Sequence, residues 1–249
     1  MSRTLLSLTL LLLSFTAFSQ DTLQGPMQSL DSLDSVQKPM FSQEITKNIR
    51  RYVKQSQLAY HDQDYDRADF LYDSLVKHVI LNTYLDNFEV RKRSGKKIEL
   101  SEFEKPMILL STASWCTPGS GTIPALNEIA HTYGNNIDFV VLYWDTKEDA
   151  RKASRDFKGD IQVIYVDELE NKGAAIVKEM KHSLGLPTCY LLDKDKKIID
   201  IQRTVIHPYH TDYQTSFDDN YSAFYAGVQL LHKTVTIETS LEVIGVDKN

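Results

Sequence analysis

The two cysteines of this chain, Cys116 and Cys189, are the residues whose chemistry is easiest to specify from the sequence. Cys116 lies within residues 111–119, directly after a short apolar stretch. Pro118 is typical of the first turn of a helix, where the missing N–H costs no hydrogen bond. We therefore expect Cys116 at a helix N-terminus, where unpaired amide groups and the helix dipole favour the thiolate. A thiolate at this position would make Cys116 a reactive thiol.

Composition and charge exclude several classes of protein. The chain has 249 residues, of which 42% are hydrophobic and 25% are charged, a balance typical of globular proteins. Acidic residues outnumber basic ones by 34 to 28, and the net charge of −6 argues against general electrostatic binding to nucleic acid or an anionic membrane. Two cysteines are too few for a disulfide scaffold or a four-cysteine zinc site. The sequence contains no phosphate loop and no serine nucleophile motif, and no cofactor is expected.

The elements around Cys116 are predicted to alternate between strands and helices. Short apolar or alternating runs predict strands at residues 88–90, 98–100, 107–110, 137–143, 161–166, 189–192 and 198–201. Helical periodicity is found at residues 123–133, 147–157, 173–182 and 222–234, and Pro124 is expected to kink the first of these helices. This order predicts an α/β fold in which helices flank a central mixed sheet. A strand-like stretch at residues 235–243 has no place in that scheme.

Two segments resemble the active-site region of the thioredoxin superfamily, and in particular its secreted, TlpA-like thiol–disulfide oxidoreductases. The first is Trp115-Cys116-Thr117-Pro118-Gly119 followed by Ile123-Pro124-Ala125-Leu126, and the second is Gly185-Leu186-Pro187-Thr188. The resemblance covers residues 86 to 233 and implies a thioredoxin-like fold in which Pro187 is a cis-proline. It also implies that Cys116 is the nucleophile and that Trp115 shields it. Pro187, with Leu186 and Thr188 beside it, would then contact an extended substrate chain.

The sequence departs from the family pattern at positions that complete its chemistry. Gly119 stands where the family has a second cysteine, which resolves the mixed disulfide formed by the first. Leu110 and Thr122 stand where family members often carry an acid, and neither side chain titrates in the relevant range. A lone thiol fits isomerase-like or monothiol exchange better than net reduction, because the substrate's own cysteine can resolve the intermediate. The expected partners are protein or peptide thiols and disulfides and a redox partner protein.

The role of Cys189 and the activity of the chain each have more than one interpretation. Cys189 follows Pro187 by two residues and could point into the space left at Gly119, where it would pair with Cys116 as a replacement resolving thiol. The other interpretation, which we prefer, is a buried, inert cysteine of a core strand. We therefore predict thiol–disulfide exchange through Cys116 alone or through both cysteines. The alternative is a redox-inactive binding or scaffold module with a thioredoxin fold.

The flanking segments predict export and a helical appendage. Arg3 and the apolar residues 5–18 predict a signal peptide at residues 1–19 and a periplasmic or secreted protein, with an uncleaved membrane anchor as the alternative. Residues 20–42 are interpreted as a flexible linker, and residues 43–85 as a helical hairpin packed on the main domain, with a peptide-binding repeat as the alternative. A thioredoxin-like domain at 86–233 and a C-terminal tail at 234–249 complete the chain. No membrane span is expected after cleavage.

A histidine-containing loop and a basic turn are weaker candidates for function. His207, His210 and Asp212 could ligate zinc, but their loop contains Pro208 and has no fixed helical spacing, and no metal is expected. The basic residues 91–97 are interpreted as a solvated turn between two strands. A patch for docking a partner is the alternative for that turn.

Overall fold

A seven-stranded mixed sheet lies at the centre of the structure, a computed structural model that describes residues 38–170, 176, 178–203 and 211–244. Its strands are β1 (Glu89–Lys92), β2 (Lys97–Glu99), β3 (Met107–Thr112), β4 (Asp138–Tyr143), β5 (Ile161–Tyr165), β6 (Thr188–Leu192) and β7 (Ile198–Arg203). They are arranged in the order β2-β1-β5-β4-β3-β6-β7. The strands β3, β4 and β5 are parallel, and β6 and β1 pair with this trio in the antiparallel sense. The predicted central mixed sheet is confirmed.

The two faces of the sheet are covered by different helices. Every residue of β3 and β4 is buried, as expected for parallel strands that lie between two helical layers. Successive side chains of β3 point to opposite faces, so that Leu109 and Leu110 belong to separate hydrophobic clusters. The described residues therefore form three layers, with the sheet in the middle.

The N-terminal helices cover the face to which Leu109 points. They are α1 (Phe41–His61) and α2 (Tyr65–Leu75), and α2 continues as a π-helical segment (Val76–Ile80). α1 begins two residues before the position expected from the sequence, because Phe41 belongs to the core. Phe41 is fully buried, its N–H donates to the carbonyl of Tyr84 (2.8 Å), and its ring meets the edge of Tyr190 at 6.3 Å.

Three helices cover the opposite face, α3 (Thr122–Tyr133), α4 (Lys147–Ala153) and α5 (Tyr213–Ile244). The helix predicted at 222–234 is longer at both ends. It begins at Tyr213, where the Asp212 carboxylate accepts the N–H of Thr215 (3.0 Å). It also continues through residues 235–243, for which the strand prediction is wrong. Extending an existing helix adds one hydrogen bond per residue and avoids the free-energy cost of starting a new helix. This gain outweighs the strand preference of the β-branched residues in the segment.

Several predictions concern residues that lie outside the described ranges. They are the signal peptide at 1–19, the linker as far as residue 37, part of the helix at 173–182, and the histidines His207 and His210. Among the described residues, no helix is long and apolar enough to cross a membrane. The same part of the chain contains no group of three or more His, Cys, Asp or Glu side chains that could hold a metal ion.

Candidate functional site

The loop that carries Cys116 leaves the sheet beside the loop that carries Pro187. β3 ends at Thr112, and β6 begins at Thr188, which pairs with Ser111 in the antiparallel sense. The loop that follows β3 and the loop that precedes β6 therefore meet at one edge of the sheet. The peptide bond that precedes Pro187 is cis. The predicted site residues at this edge are Trp115, Cys116, Leu186, Pro187 and Thr188.

Cys116 lies in an irregular loop, and the prediction that it stands at a helix N-terminus is wrong. α3 begins only at Thr122. Instead of a helical turn, the loop has two local hydrogen bonds. The N–H of Cys116 donates to the carbonyl of Ala113 (2.9 Å), and the N–H of Thr122 donates to that of Gly119 (3.1 Å). The Cys116 side chain is partly exposed and Trp115 is 67% exposed, so most of the indole contacts solvent.

The start of α3 is fixed by its contact with α5. Pro124 is the third residue of α3, where its missing N–H removes no hydrogen bond because N–H groups of the first turn have no partner within the helix. Gly121 precedes the helix, and its N–H donates to the hydroxyl of the buried Ser216 (3.0 Å). A Cβ atom at Gly121 would collide with the backbone at Ser216 and Phe217. The Cys116 loop therefore ends where the backbones of α3 and α5 touch.

Asp145 holds the other end of the Cys116 loop. Ser114 donates its backbone N–H (2.6 Å) and its hydroxyl (2.8 Å) to the two carboxylate oxygens of Asp145. Tyr143, the last residue of β4, lies close by, and its pKa is raised to about 12 by burial, then by the charges of Asp145 and Cys116. The sequence prediction missed Asp145. One signal could have indicated Asp145: it is a carboxylate that directly follows a buried strand, at the edge of the sheet where loops often carry functional residues.

Gly185 and Thr188 shape the loop that contains Pro187. Gly185 has φ +81°, a left-handed conformation that favours glycine. The hydroxyl of Thr188 donates to the carbonyl of Gly185 (2.9 Å), and the Thr188 side chain is buried. Leu186 and Pro187 are only partly buried. These two side chains are thus accessible to a partner, and substrate contact at Leu186, Pro187 and Thr188 stays a prediction.

Cys189 lies in the core of the protein. It stands opposite Leu110 in the sheet, is 3% exposed, and belongs to the same hydrophobic cluster as Ala125 and Leu126 of α3. Burial, and then the charge of Asp200, raises the pKa of the Cys189 thiol to about 12, so the thiol is protonated at neutral pH. Both cysteines are free in the structure. Their pairing stays a prediction.

One known protein family matches the segment of the chain that carries the Cys116 and Pro187 loops. Residues 82–201 match the model of the AhpC/TSA family. The matched segment is similar to thioredoxin-like proteins. The resemblance predicted from the two cysteine- and proline-containing motifs is thereby confirmed, and so is the predicted fold class, in which helices flank a central mixed sheet and two further helices precede it.

The curated relatives of the thioredoxin-like segment include proteins named for thiol–disulfide chemistry. Thiol-disulfide oxidoreductase ResA of Bacillus thuringiensis is 32% identical over 118 residues, which are 45% of this chain and 64% of the relative. Thioredoxin-like protein YneN of Bacillus subtilis is 25% identical over 116 residues, 46% of this chain and 66% of the relative. The chain thus spans somewhat less than two thirds of either relative. A solved thioredoxin domain of a thiol-disulfide oxidoreductase from Bacteroides vulgatus has a TM-score of 0.46 and 16% identity, covering 59% of this chain and 97% of that one.

Proposed function

We propose that this protein exchanges thiols and disulfides through Cys116 alone, with an isomerase-like outcome for the substrate. The observation that carries the proposal is the contrast between the two cysteines. Cys116 is partly exposed in a loop at the edge where Pro187 lies, whereas Cys189 is buried and has a raised pKa. The sequence has no third cysteine. One thiol is thus accessible to a substrate in the folded state.

The proposed exchange needs no external oxidant or reductant. The Cys116 thiolate attacks one sulfur of a substrate disulfide, which forms a mixed disulfide and releases the other substrate sulfur as a thiolate. The released thiolate attacks a second disulfide of the same substrate and frees a different thiolate, which then attacks the substrate sulfur of the mixed disulfide. This last step regenerates the Cys116 thiolate and leaves a new disulfide in the substrate. The numbers of thiols and disulfides in the substrate are unchanged.

The test uses a protein substrate with scrambled disulfides, incubated with reduced, desalted wild type, Cys116→Ser or Cys189→Ala. We expect wild type and Cys189→Ala to restore the native pairing, and Cys116→Ser to act no faster than buffer. Mass spectrometry after acid quenching should find one substrate molecule attached at Cys116. Equal rates for wild type and Cys116→Ser would overturn the proposal. Loss of activity in Cys189→Ala, with the fold intact, would instead favour a mechanism that uses both cysteines.

A second candidate function is a redox-inactive binding or scaffold module, and one observation favours it. α3 starts at Thr122, so Cys116 lies in an irregular loop and not at the helix N-terminus that the sequence predicts for a reactive thiol. The rate of alkylation of Cys116 across pH separates the two functions. A rate no higher than that of a cysteine in an unstructured peptide would favour the inert module.

We further propose that the protein works outside the cytoplasm. The support is the sequence of residues 1–20, in which Arg3 precedes a short apolar stretch and small residues follow at Ala17 and Ser19. Expression of the full chain in a Gram-negative host, followed by osmotic shock, tests this. We expect the periplasmic fraction to contain a protein whose N-terminal sequence begins after Ser19. Recovery of the uncut chain in the cytoplasm would contradict the proposal.

A further inference from the structure

A cleft of about 660 Å³ lies on the helical face formed by α3 and α5, outside the site described above. It runs between α3, the segment that precedes β5, and the first turns of α5. Its lining combines apolar rings with several charged groups. The apolar part of the lining is formed by Pro124, Tyr213 and Phe217.

An aromatic row on α5 extends one wall of this cleft. Tyr213, Phe217, Tyr221 and Tyr225 follow one another at intervals of four residues, and neighbouring rings stack with centroids 6.1, 5.8 and 6.4 Å apart. The rings are not enclosed by the protein, since Tyr213 is 52% exposed and Tyr225 is 38% exposed. At a rise of about 1.5 Å per residue the row is about 18 Å long. A stacked row of this length offers a flat, preformed surface to a ligand of similar length.

The charge of the cleft is negative. Three carboxylates, those of Glu128, Asp156 and Asp160, line it together with one ammonium group, that of Lys158. His131 lies against Asp160, with Nδ1 3.1 Å from the carboxylate oxygen. A cationic ligand is therefore favoured over an anionic one.

We propose that this cleft and the aromatic row bind an extended polypeptide segment that contains arginine. The guanidinium group is the cation that both stacks on aromatic rings and forms paired hydrogen bonds with carboxylates, the two kinds of group found here. An extended chain with polyproline geometry advances about 3.1 Å per residue, so about six residues match the aromatic row. The proposal rests on this surface alone and does not depend on the reactivity of Cys116.

The position of the cleft brings its occupant near the Cys116 loop. Pro124 lies in the first turn of α3, and the backbone of Phe217 touches that of Gly121, which ends the loop. A segment bound along the row therefore passes Phe217, beside the residue at which the loop ends.

The test measures fluorescence anisotropy of a labelled eight-residue peptide of alternating arginine and proline, titrated with the full protein in low salt. Tyr213→Ala removes an exposed ring of the row, and Asp156→Asn removes one carboxylate. The matched controls are Tyr65→Ala and Asp66→Asn, which change an exposed ring and an exposed carboxylate on α2, on the other side of the sheet. A peptide in which glutamate replaces arginine is the ligand control. Circular dichroism establishes that each variant is folded.

We expect saturable binding that weakens about fivefold or more in Tyr213→Ala and in Asp156→Asn and that changes less than about twofold in the two controls. Raising the salt concentration should also weaken it, because the charged groups of this cleft are open to solvent. The glutamate peptide should not bind. Absence of saturable binding, equal effects of all four substitutions, or equal binding of the glutamate peptide would overturn the proposal. Binding of a neutral oligosaccharide at this cleft in place of the peptide would overturn it as well.

Discussion

The junction between α3 and α5 predicts that Gly121→Ala is strongly destabilising. A Cβ atom on Gly121 would lie within 2.5 Å of the carbonyl carbon of Ser216 and of the backbone nitrogen and Cα of Phe217. These are backbone atoms of α5, so no side-chain rotation can relieve the collision. Separating the two backbones also breaks the buried hydrogen bond from the Gly121 N–H to the Ser216 hydroxyl (3.0 Å).

The magnitude follows from these two losses. Overpacking of a well-packed site costs about 1–3 kcal/mol, and leaving a buried hydrogen-bonding group without its partner costs about 1–3 kcal/mol. Since displacement of α5 relieves the collision by sacrificing the hydrogen bond, the two costs partly overlap. We expect the free energy of unfolding of Gly121→Ala to fall by about 2–4 kcal/mol relative to wild type.

Urea unfolding followed by far-ultraviolet circular dichroism measures this difference. Gly159→Ala is the matched control, because a Cβ atom at Gly159 would meet nothing within 4 Å and its free energy of unfolding should change by no more than about 1 kcal/mol. A Gly121→Ala variant within about 0.5 kcal/mol of wild type would refute the close approach of α3 and α5. Equal losses in the two variants would refute the explanation by collision, because they would point to glycine flexibility alone.

Three further substitutions test other contacts. Asp145→Asn should lower the free energy of unfolding in urea by about 1 kcal/mol through weaker hydrogen bonds to Ser114, and a free energy equal to that of wild type would contradict this contact. Between pH 9.0 and about 12 the Cys189 thiol is ionised when unfolded and protonated when folded, so stability falls as the pH rises. Unfolding in urea at pH 8 and at pH 10.5 should therefore show a pH-dependent loss about 2 kcal/mol smaller in Cys189→Ala than in wild type. The guanidinium of Arg203 lies 3.7 Å from the centroid of the Tyr72 ring, and Arg203→Lys should lower the free energy of unfolding by about 1 kcal/mol, measured in thermal or urea unfolding. A variant as stable as wild type would contradict this prediction.

The sheet was largely predictable from the sequence because its strands are short apolar runs between turns. The runs at 137–143 and 161–166 give β4 and β5 almost residue for residue. Pro187 was likewise predictable as a cis-proline in the loop before β6, since its motif directly precedes a recognisable strand.

The errors arose where a distant contact decides the local structure. Pro118 suggested a helix that starts near Cys116, but the start is set at Thr122, directly after Gly121 meets Ser216 of α5. That contact joins residues 95 positions apart, and no local pattern shows it. Asp145 was overlooked for the same reason, because its partner Ser114 precedes it by 31 positions.

The N-terminal helices have a practical consequence for dissecting this protein. The family match begins at residue 82, yet the compact unit that contains it begins at Lys38. The side chain of Ser42 donates to Asp86 (2.7 Å), and Phe41 covers Tyr190 in the sheet. A fragment cut at the family boundary would expose the apolar face of β3, β4 and β6 to water and would be prone to aggregate. A shortened version intended for crystallisation or for thiol assays should therefore start at Lys38 or earlier.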